Sequence, residues 1–335
     1  MRCLYHLTKD GVCILRCYSL DSIAELPSKI EGKPVTELGA YAFSDYFSME
    51  DYEKETLMLW NTVSEKSREV SVSDMQNIIA DINSRDGKAM AGGDLTEVWL
   101  PDSLGKIGRY AFYNCFSLKR LSFGENLKDV GAGAFTGCHQ IGELQVRAAK
   151  EKAGCLRDIL TEVTEELLVV YERQGEEGRF WFPEYFEEGV ENTPARILEN
   201  HVHGSGLRYR NCFRNRVLQV REYDSLFESA KAWENPKTVI RLAFDRLRYP
   251  MKLSAEAEKQ YAAYLEEKQR EAGELLLQKK QTEDLSFFLK RIPVAQETLE
   301  ELLKLAAKEG FPEGVACLME EKGRRFAPTR RSFDL

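Results

Sequence analysis

The sequence predicts an α+β chain in which a short solenoid of β-coils precedes a mainly α-helical domain. Three observations carry that expectation. Residue types repeat at a fixed period in the first half: Gly108 to Gly131, Phe112 to Phe135 and Cys115 to Cys138 are each 23 apart. After Tyr223 the apolar spacing becomes helical. The composition, 30% charged and 43% hydrophobic over 335 residues, suits a soluble protein of about two domains. The expected boundaries are 1–147 for the repeats, with an insertion at about 44–94, then 148–192 for a helix and β-hairpin that connect or cap, and 193–335 for the helices.

From the N-terminus, Met1 to Leu20 alternates apolar residues with Arg2, Lys9, Asp10 and Arg16. That pattern lacks the apolar core and cleavage site of an export signal, and no later window approaches a membrane span, so the cytoplasm is the expected compartment. Ile23 to Pro27 followed by Gly32 to Phe43 forms a first, degenerate coil. The insertion starts acidic (Asp45, Glu50, Asp51, Glu53, Glu55) and turns helix-like, with Val72, Met75, Ile78, Ile79 and Ile82 at helical spacing. It is either part of a binding face or a surface decoration.

The two regular coils follow. Val98 and Leu100, then Leu121 and Phe123, alternate as short strands. Ile107 and Val130 point inward on the return path, and Phe112 and Phe135 fill the interior with Cys115 and Cys138 stacked as small hydrophobes. Leu38 and Phe43 hold the equivalent places in the first coil, and Leu118 closes the second. The apolar-Gly-x-x-Ala-Phe pattern, the Cys-x-x-Leu close at Cys115 to Leu118 and the entry at Ile30 to Thr36 resemble the BspA-type leucine-rich-repeat family over roughly residues 11–147. The resemblance implies a stacked β-solenoid and a protein-binding role. Many members are surface adhesins, a role not carried over to a chain without an export signal.

Leu144 and Val146 look like the strand of one more coil. Ala148 to Glu166 reads as an amphipathic helix, and Leu167–Tyr171 with Arg179–Phe182 as a hairpin able to cover the end of the stack. Thr193 before Pro194 reads as a helix start. In the second half Asn235-Pro236 starts a helix to Arg248, Ser254 a long one to about Lys279, Thr282 a short one, then Ala295–Lys308 and Pro312–Glu320, with a basic tail from Arg324. Leu285, Phe288 and Leu289 recur 30 residues on as Val315, Leu318 and Met319. This resembles ankyrin-like helix stacking, although the ankyrin Thr-Pro-Leu-His signature is missing, and a plain bundle gives the same pattern.

Chemistry-bearing residues concentrate between His201 and Arg216. His201 and His203 would share one face of a strand, an arrangement metal sites use. His203-Gly204-Ser205-Gly206 followed by Arg208, Arg210, Arg214 and Arg216 could cradle a phosphate. Ser205 lacks the strand–turn–helix setting of a nucleophile elbow. The plainer alternative is structural: these arginines pair with the acid-rich stretch from Asp158 to Glu191. Cys13, Cys17 and His6 lack a second ligand pair for zinc. A net charge of −8 disfavours nucleic acid and anionic membrane as partners. The expected function is an intracellular protein–protein scaffold or adaptor, not an enzyme and without cofactor; the alternative is a ligand-binding or enzymatic module at 201–216.

Overall fold

The 23-residue period becomes a β-sheet register. The computed structural model describes residues 1–74, 77–80, 87–148, 154–192 and 197–326. The chain divides into one unit of Met1–Glu177 with Trp181–Gln219 and a second of Gly178–Phe180 with Val220–Leu335.

In the first unit, β1 (Arg2–Leu7) and β2 (Val12–Ser19) form an antiparallel hairpin. Next come β3 (Ile23–Glu25), β4 (Lys29–Ile30) and β5 (Lys33–Leu38). The insertion supplies β6 (Leu57–Asn61), β7 (Lys66–Val70) and β8 (Lys88–Ala89). The repeats supply β9 (Glu97–Trp99), β10 (Lys106–Ile107), β11 (Arg120–Gly124), β12 (Asp129–Val130) and β13 (Glu143–Ala148). Each repeat gives one strand to each of two sheets, one ordered β12-β10-β5-β2-β1-β6-β7 and the other, which β14 (Leu167–Arg173) and β15 (Glu176–Phe182) extend, ordered β15-β14-β13-β11-β9-β3. Val98 pairs Leu121, which pairs Leu144, and Ile107 pairs Val130, so neighbours along the stack lie 23 residues apart and run parallel. Ala24 pairs Val98 in the same row, the chain between them making the insertion.

Inside the stack the Phe43, Phe112 and Phe135 rings lie face to face, with centroids 5.3 and 5.2 Å apart. Removing such a ring costs about 3–5 kcal/mol in a packed core. Cys115 donates its thiol to the Phe43 carbonyl at 3.1 Å and Cys138 to the Phe112 carbonyl at 3.0 Å. Burial pushes the Cys115 thiol up to about 12. Leu38, Ile107, Leu118 and the aromatic and cysteine positions are buried, whereas Val130 is half-buried because β12 is the end strand of its sheet.

The insertion extends the sheet. β6 pairs β1 and β7 pairs β6, both antiparallel. Leu57, Leu59 and Val70 then join Leu4, Cys13, Leu15 and Tyr18 in an apolar cluster, against which Val72, Ile78 and Ile79 pack. Residues 77–80 are helical; Met75 and Ile82 lie outside the described residues.

Past the repeats stand α1 (Leu156–Glu162), β14 (Leu167–Arg173) and β15 (Glu176–Phe182). The expected helix from 148 to 166 is thus one of seven residues, with 149–153 undescribed. β14 pairs β13 in parallel, so the expected hairpin continues the sheet. The end of the stack is closed by α1. Inside the stack the backbone N–H of Phe43 donates to the Ala111 carbonyl and that of Phe112 to Ala134. Gly133 and Phe135 donate instead to the two carboxylate oxygens of Glu162, at 3.1 and 2.9 Å. One side chain replaces the missing next repeat.

The unit ends with β16 (Phe186–Asn192), β17 (Ile197–His203), α2 (Gly206–Arg210), β18 (Phe213–Arg214) and β19 (Val217–Leu218). Thr193 and Pro194 lie outside the described residues, and the chain after them is strand, not the helix expected there.

The second unit holds α3 (Val220–Ser225), α4 (Phe227–Trp233), α5 (Pro236–Arg248), α6 (Ala255–Glu267), α7 (Gln269–Lys279), α8 (Thr282–Arg291), α9 (Gln296–Lys308) and α10 (Pro312–Phe326). Asn235 caps α5 by accepting from the Thr238 N–H, and Ser254 caps α6 through the Ala257 N–H. The long helix expected from Ser254 breaks at Lys268 (φ −100, ψ 29) into α6 and α7. A Cβ on Gly273 of α7 would fall 2.4 Å from Leu302 of α9, so the missing side chain permits that helix contact. At the core of this unit Arg246 grips Asp224 with two bonds of 2.9 and 3.1 Å, and Tyr261 donates to the same carboxylate at 2.7 Å. Within the recurring triplet Leu318 is buried but Met319 is 61% exposed.

Candidate interaction surface

Strand alternation buries Ala24, Val98, Leu121, Phe123, Leu144 and Val146 on one face of the repeat sheet. The intervening residues occupy the other face, and the unshifted register sets them in rows. One row reads Ile23, Glu97, Arg120, Glu143 and Leu168; the next reads Glu25, Trp99, Ser122, Gln145 and Val170. Arg120 sits between two carboxylates, 3.3 Å from Glu97 and 2.9 Å from Glu143. Burial alone would lower its pKa; Glu143 and Glu97 outweigh that and raise it. Arg147 is held by Asp102 at 3.0 Å, by the Ser122 hydroxyl and by the Leu100 carbonyl at 2.5 Å. Gln145 donates to Glu172 at 2.6 Å. The face's cations are therefore neutralised and fixed. At the strand ends an open cleft of about 480 Å³ lies among Asp102, Arg147, Glu172, Arg173, Glu176 and Glu177.

At the other end of this face apolar surface is exposed. Ile23 is 47% exposed, Trp99 is half-buried and Glu25 exposed. A sheet face carrying a tryptophan and an exposed isoleucine among polar residues is the composition of a protein contact.

Residues 81–154 match the family model of the BspA type leucine-rich repeat region (6 copies). That stretch is a BspA-type leucine-rich-repeat region. Two solved leucine-rich-repeat structures are similar to the chain. A leucine-rich cell surface protein of Faecalibacterium prausnitzii A2-165 is 16% identical, covering 50% of this chain and 40% of its own, with a TM-score of 0.25. The leucine-rich-repeat protein of T. pallidum is 21% identical, covering 42% of this chain and 67% of its own, with a TM-score of 0.19. This chain thus spans less than half of the first of these. No curated protein matches it.

Outside the leucine-rich-repeat region, the residues singled out between 201 and 216 fall in different settings. His201 and His203 do share a strand, β17. His201 stands opposite Glu188, while His203 lies 3.1 Å from the Glu188 carboxylate and stacks on Phe186 at 4.5 Å. Ser205 is buried. Gly206 is required by close backbone approach, since a Cβ there would lie 2.1 Å from the Pro183 carbonyl. Arg208 and Arg214 are exposed. Arg210 is 1% exposed, and its guanidinium is closed on backbone carbonyls: Leu160 at 2.9 Å, Val163 at 3.0 Å, Glu165 at 2.8 Å, Pro183 at 2.5 Å and Gly206 at 3.2 Å. Burial lowers its pKa to about 10. Arg216 does reach the acidic stretch, 3.1 Å from Asp158. The structure pairs His203 with Glu188 and commits Arg210 to the interior. Among the described residues no group of three or more His, Cys, Asp or Glu is placed to hold a metal, and no helix is long and apolar enough to cross a membrane.

Neither Trp99 nor Glu25 is singled out by the sequence reading. Their signal was the alternation itself: the residue between two core positions of a repeat strand faces outward.

Proposed function

We propose that the chain is an intracellular scaffold or adaptor that binds another protein through the outer face of β3, β9, β11, β13 and β14, without catalysis or cofactor. One observation carries this reading. The 23-residue register sets equivalent side chains in straight rows, and half-buried Trp99 lies in one of them beside exposed Glu25. Leucine-rich repeats of this kind are interaction modules, and a stacked array offers an extended surface for a partner. The neutralised arginines of the face favour a polypeptide over a small anion.

The test uses the full chain as bait in native lysate with Trp99→Ala, Glu25→Lys and, as a control elsewhere, Lys259→Glu. A partner held by parent and control but weakened tenfold or more by Trp99→Ala supports the reading, since buried tryptophan anchors contribute about 2 kcal/mol or more. Equal capture by all forms removes the sheet face as the site. Digestion of the protein by protease added to intact cells would refute the intracellular placement.

A further inference from the structure

Seven of the eight cysteines are buried and all are free thiols. Cys115 and Cys138 have a place in the repeat ladder, donating to carbonyls. Cys3 and Cys17 have each other. They stand directly opposite on the antiparallel strands β1 and β2, both are fully buried, and their sulfurs are 3.8 Å apart. Opposite residues of an antiparallel pair have Cα atoms about 4.5–5.5 Å apart, inside the window of about 4.4–6.8 Å that a disulfide accepts. Closing the gap to a bond needs side-chain rotation and no strand movement. Cys13 does not compete. It belongs to the cluster containing Leu4 and Leu15, and Cys3, next to Leu4 on the strand, projects to the other face.

We propose that Cys3 and Cys17 are a disulfide-forming pair that staples β1 to β2 when the chain meets an oxidising thiol–disulfide poise. The oxidant is a low-molecular-weight disulfide. The thiolate of one cysteine attacks it, forming a mixed disulfide and expelling one small thiolate. The thiolate of the other cysteine then attacks the protein sulfur of that mixed disulfide, forming the Cys3–Cys17 bond and expelling the second. Two protein thiols lose two electrons, the small disulfide is reduced to two thiols, and the two protons pass to the expelled thiolates. The contact with Cys3, and then burial, hold the Cys17 thiol well above its ordinary range. Exchange is therefore slow in the closed fold, and the bond is set as the strands first pair or when they open. Because β1 lies between β2 and β6, the staple secures the strand on which the insertion hairpin hangs, and it restricts the unfolded chain.

The full-length chain is refolded from urea in glutathione buffers of stepped reduced-to-oxidised ratio, alkylated and digested with trypsin. Cleavage after Arg2, Lys9 and Arg16 puts Cys3, Cys13 and Cys17 in three different peptides, so mass spectrometry reads the pairing directly. The expected result is a dominant Cys3–Cys17 peptide pair and a higher urea midpoint for the oxidised than the reduced protein. Cys3→Ala and Cys17→Ala each abolish both effects, and Cys13→Ala preserves both. Free Cys3 and Cys17 in protein refolded at the most oxidising ratio overturns the proposal, as does linkage to another cysteine or a linked form with no gain in midpoint. Should the alanine variants fail to fold, the pairing and midpoint of the parent protein decide.

Discussion

Arg210 shows how a residue's chemistry depends on the direction it faces. In the sequence it is one of several arginines after a Gly-Ser-Gly stretch and looks no different from Arg208 or Arg214. On α2 the positions 206, 209 and 210 share the inward side and 208 faces outward, a division that a five-residue helix is too short to reveal as periodicity. The interior guanidinium binds carbonyls within α1 and α2 (Leu160, Gly206) and in the chain between them (Val163, Glu165, Pro183). Arg210→Ala leaves those carbonyls buried without donors and is expected to lower the stability of the full chain by about 3–5 kcal/mol, the scale of breaking a buried charged network. Arg210→Lys recovers little of it, because an ammonium lacks the planar fork. Urea unfolding of the three proteins measures the difference, and a loss within about 0.5 kcal/mol, the range of ordinary surface changes, would place the side chain outside the core.

At the scale of elements, what was legible was whatever repeats. The period gave the strands, their order and the Phe43–Phe112–Phe135 stack, because identical spacing puts identical residues side by side. The cap was hidden. Glu162 serves Gly133 and Phe135, 29 and 27 residues away, and one glutamate in an acidic run has no pattern that marks it. Glu162→Ala strips two backbone donors of their partners, and a cost of about 2–3 kcal/mol is expected from the desolvated N–H groups. Faster hydrogen exchange at Gly133 and Phe135, with exchange at Phe43 unaltered, locates the loss at the end of the stack; uniform change or none counts against the capping role. The C-terminal helix was misread for a related reason. Arg324 and Arg325 suggested a basic tail, yet both pair with Glu321 and belong to α10. Arg325 also donates to the Leu289 carbonyl at 2.6 Å, tying α10 to α8. Burial would raise the Glu321 pKa, but the two arginines outweigh it and hold the carboxyl below its usual range. A folded pKa below the unfolded one means stabilisation that is present above the ordinary carboxylate value of about 4.3 and lost as pH falls through the depressed value. Glu321→Gln should remove that acid-side slope from the helical thermal transition, costing about 1–2 kcal/mol at neutral pH. Parallel pH profiles for the two proteins would show that the ion pairs do not stabilise the helix.

At the scale of the molecule, a stack of repeats is only as soluble as its ends. An open sheet edge offers unpaired N–H and C=O groups to any other chain, and the first unit has an answer at each end. α1 closes one through Glu162, while β14 and β15 continue the second sheet past it. At the other, β6 covers β1 and β7 covers β6, and Leu57, Leu59 and Val70 cover Leu4 and Leu15. The insertion breaks the period in sequence because it is doing a different task from the repeats. Its strands escaped the sequence reading because Leu57 to Trp60 is a continuous apolar run that neither periodicity distinguishes, placed just after an acidic stretch. The contrast with the second hairpin makes the point testable. β16 and β17 form a two-stranded sheet of their own, and the residues from Phe186 to Gly189 are exposed. Replacing 57–70 by a short Gly-Ser linker uncovers β1 and the apolar cluster together, and the protein is expected to leave the monomer peak in size-exclusion chromatography with light scattering. Replacing 186–203 in the same way uncovers no sheet edge of the repeats, and the protein should remain monomeric with its far-UV spectrum otherwise preserved. If the first deletion stays monomeric and the second aggregates, the insertion is not the N-terminal cap, and the edge of β1 is protected by some means other than strand pairing.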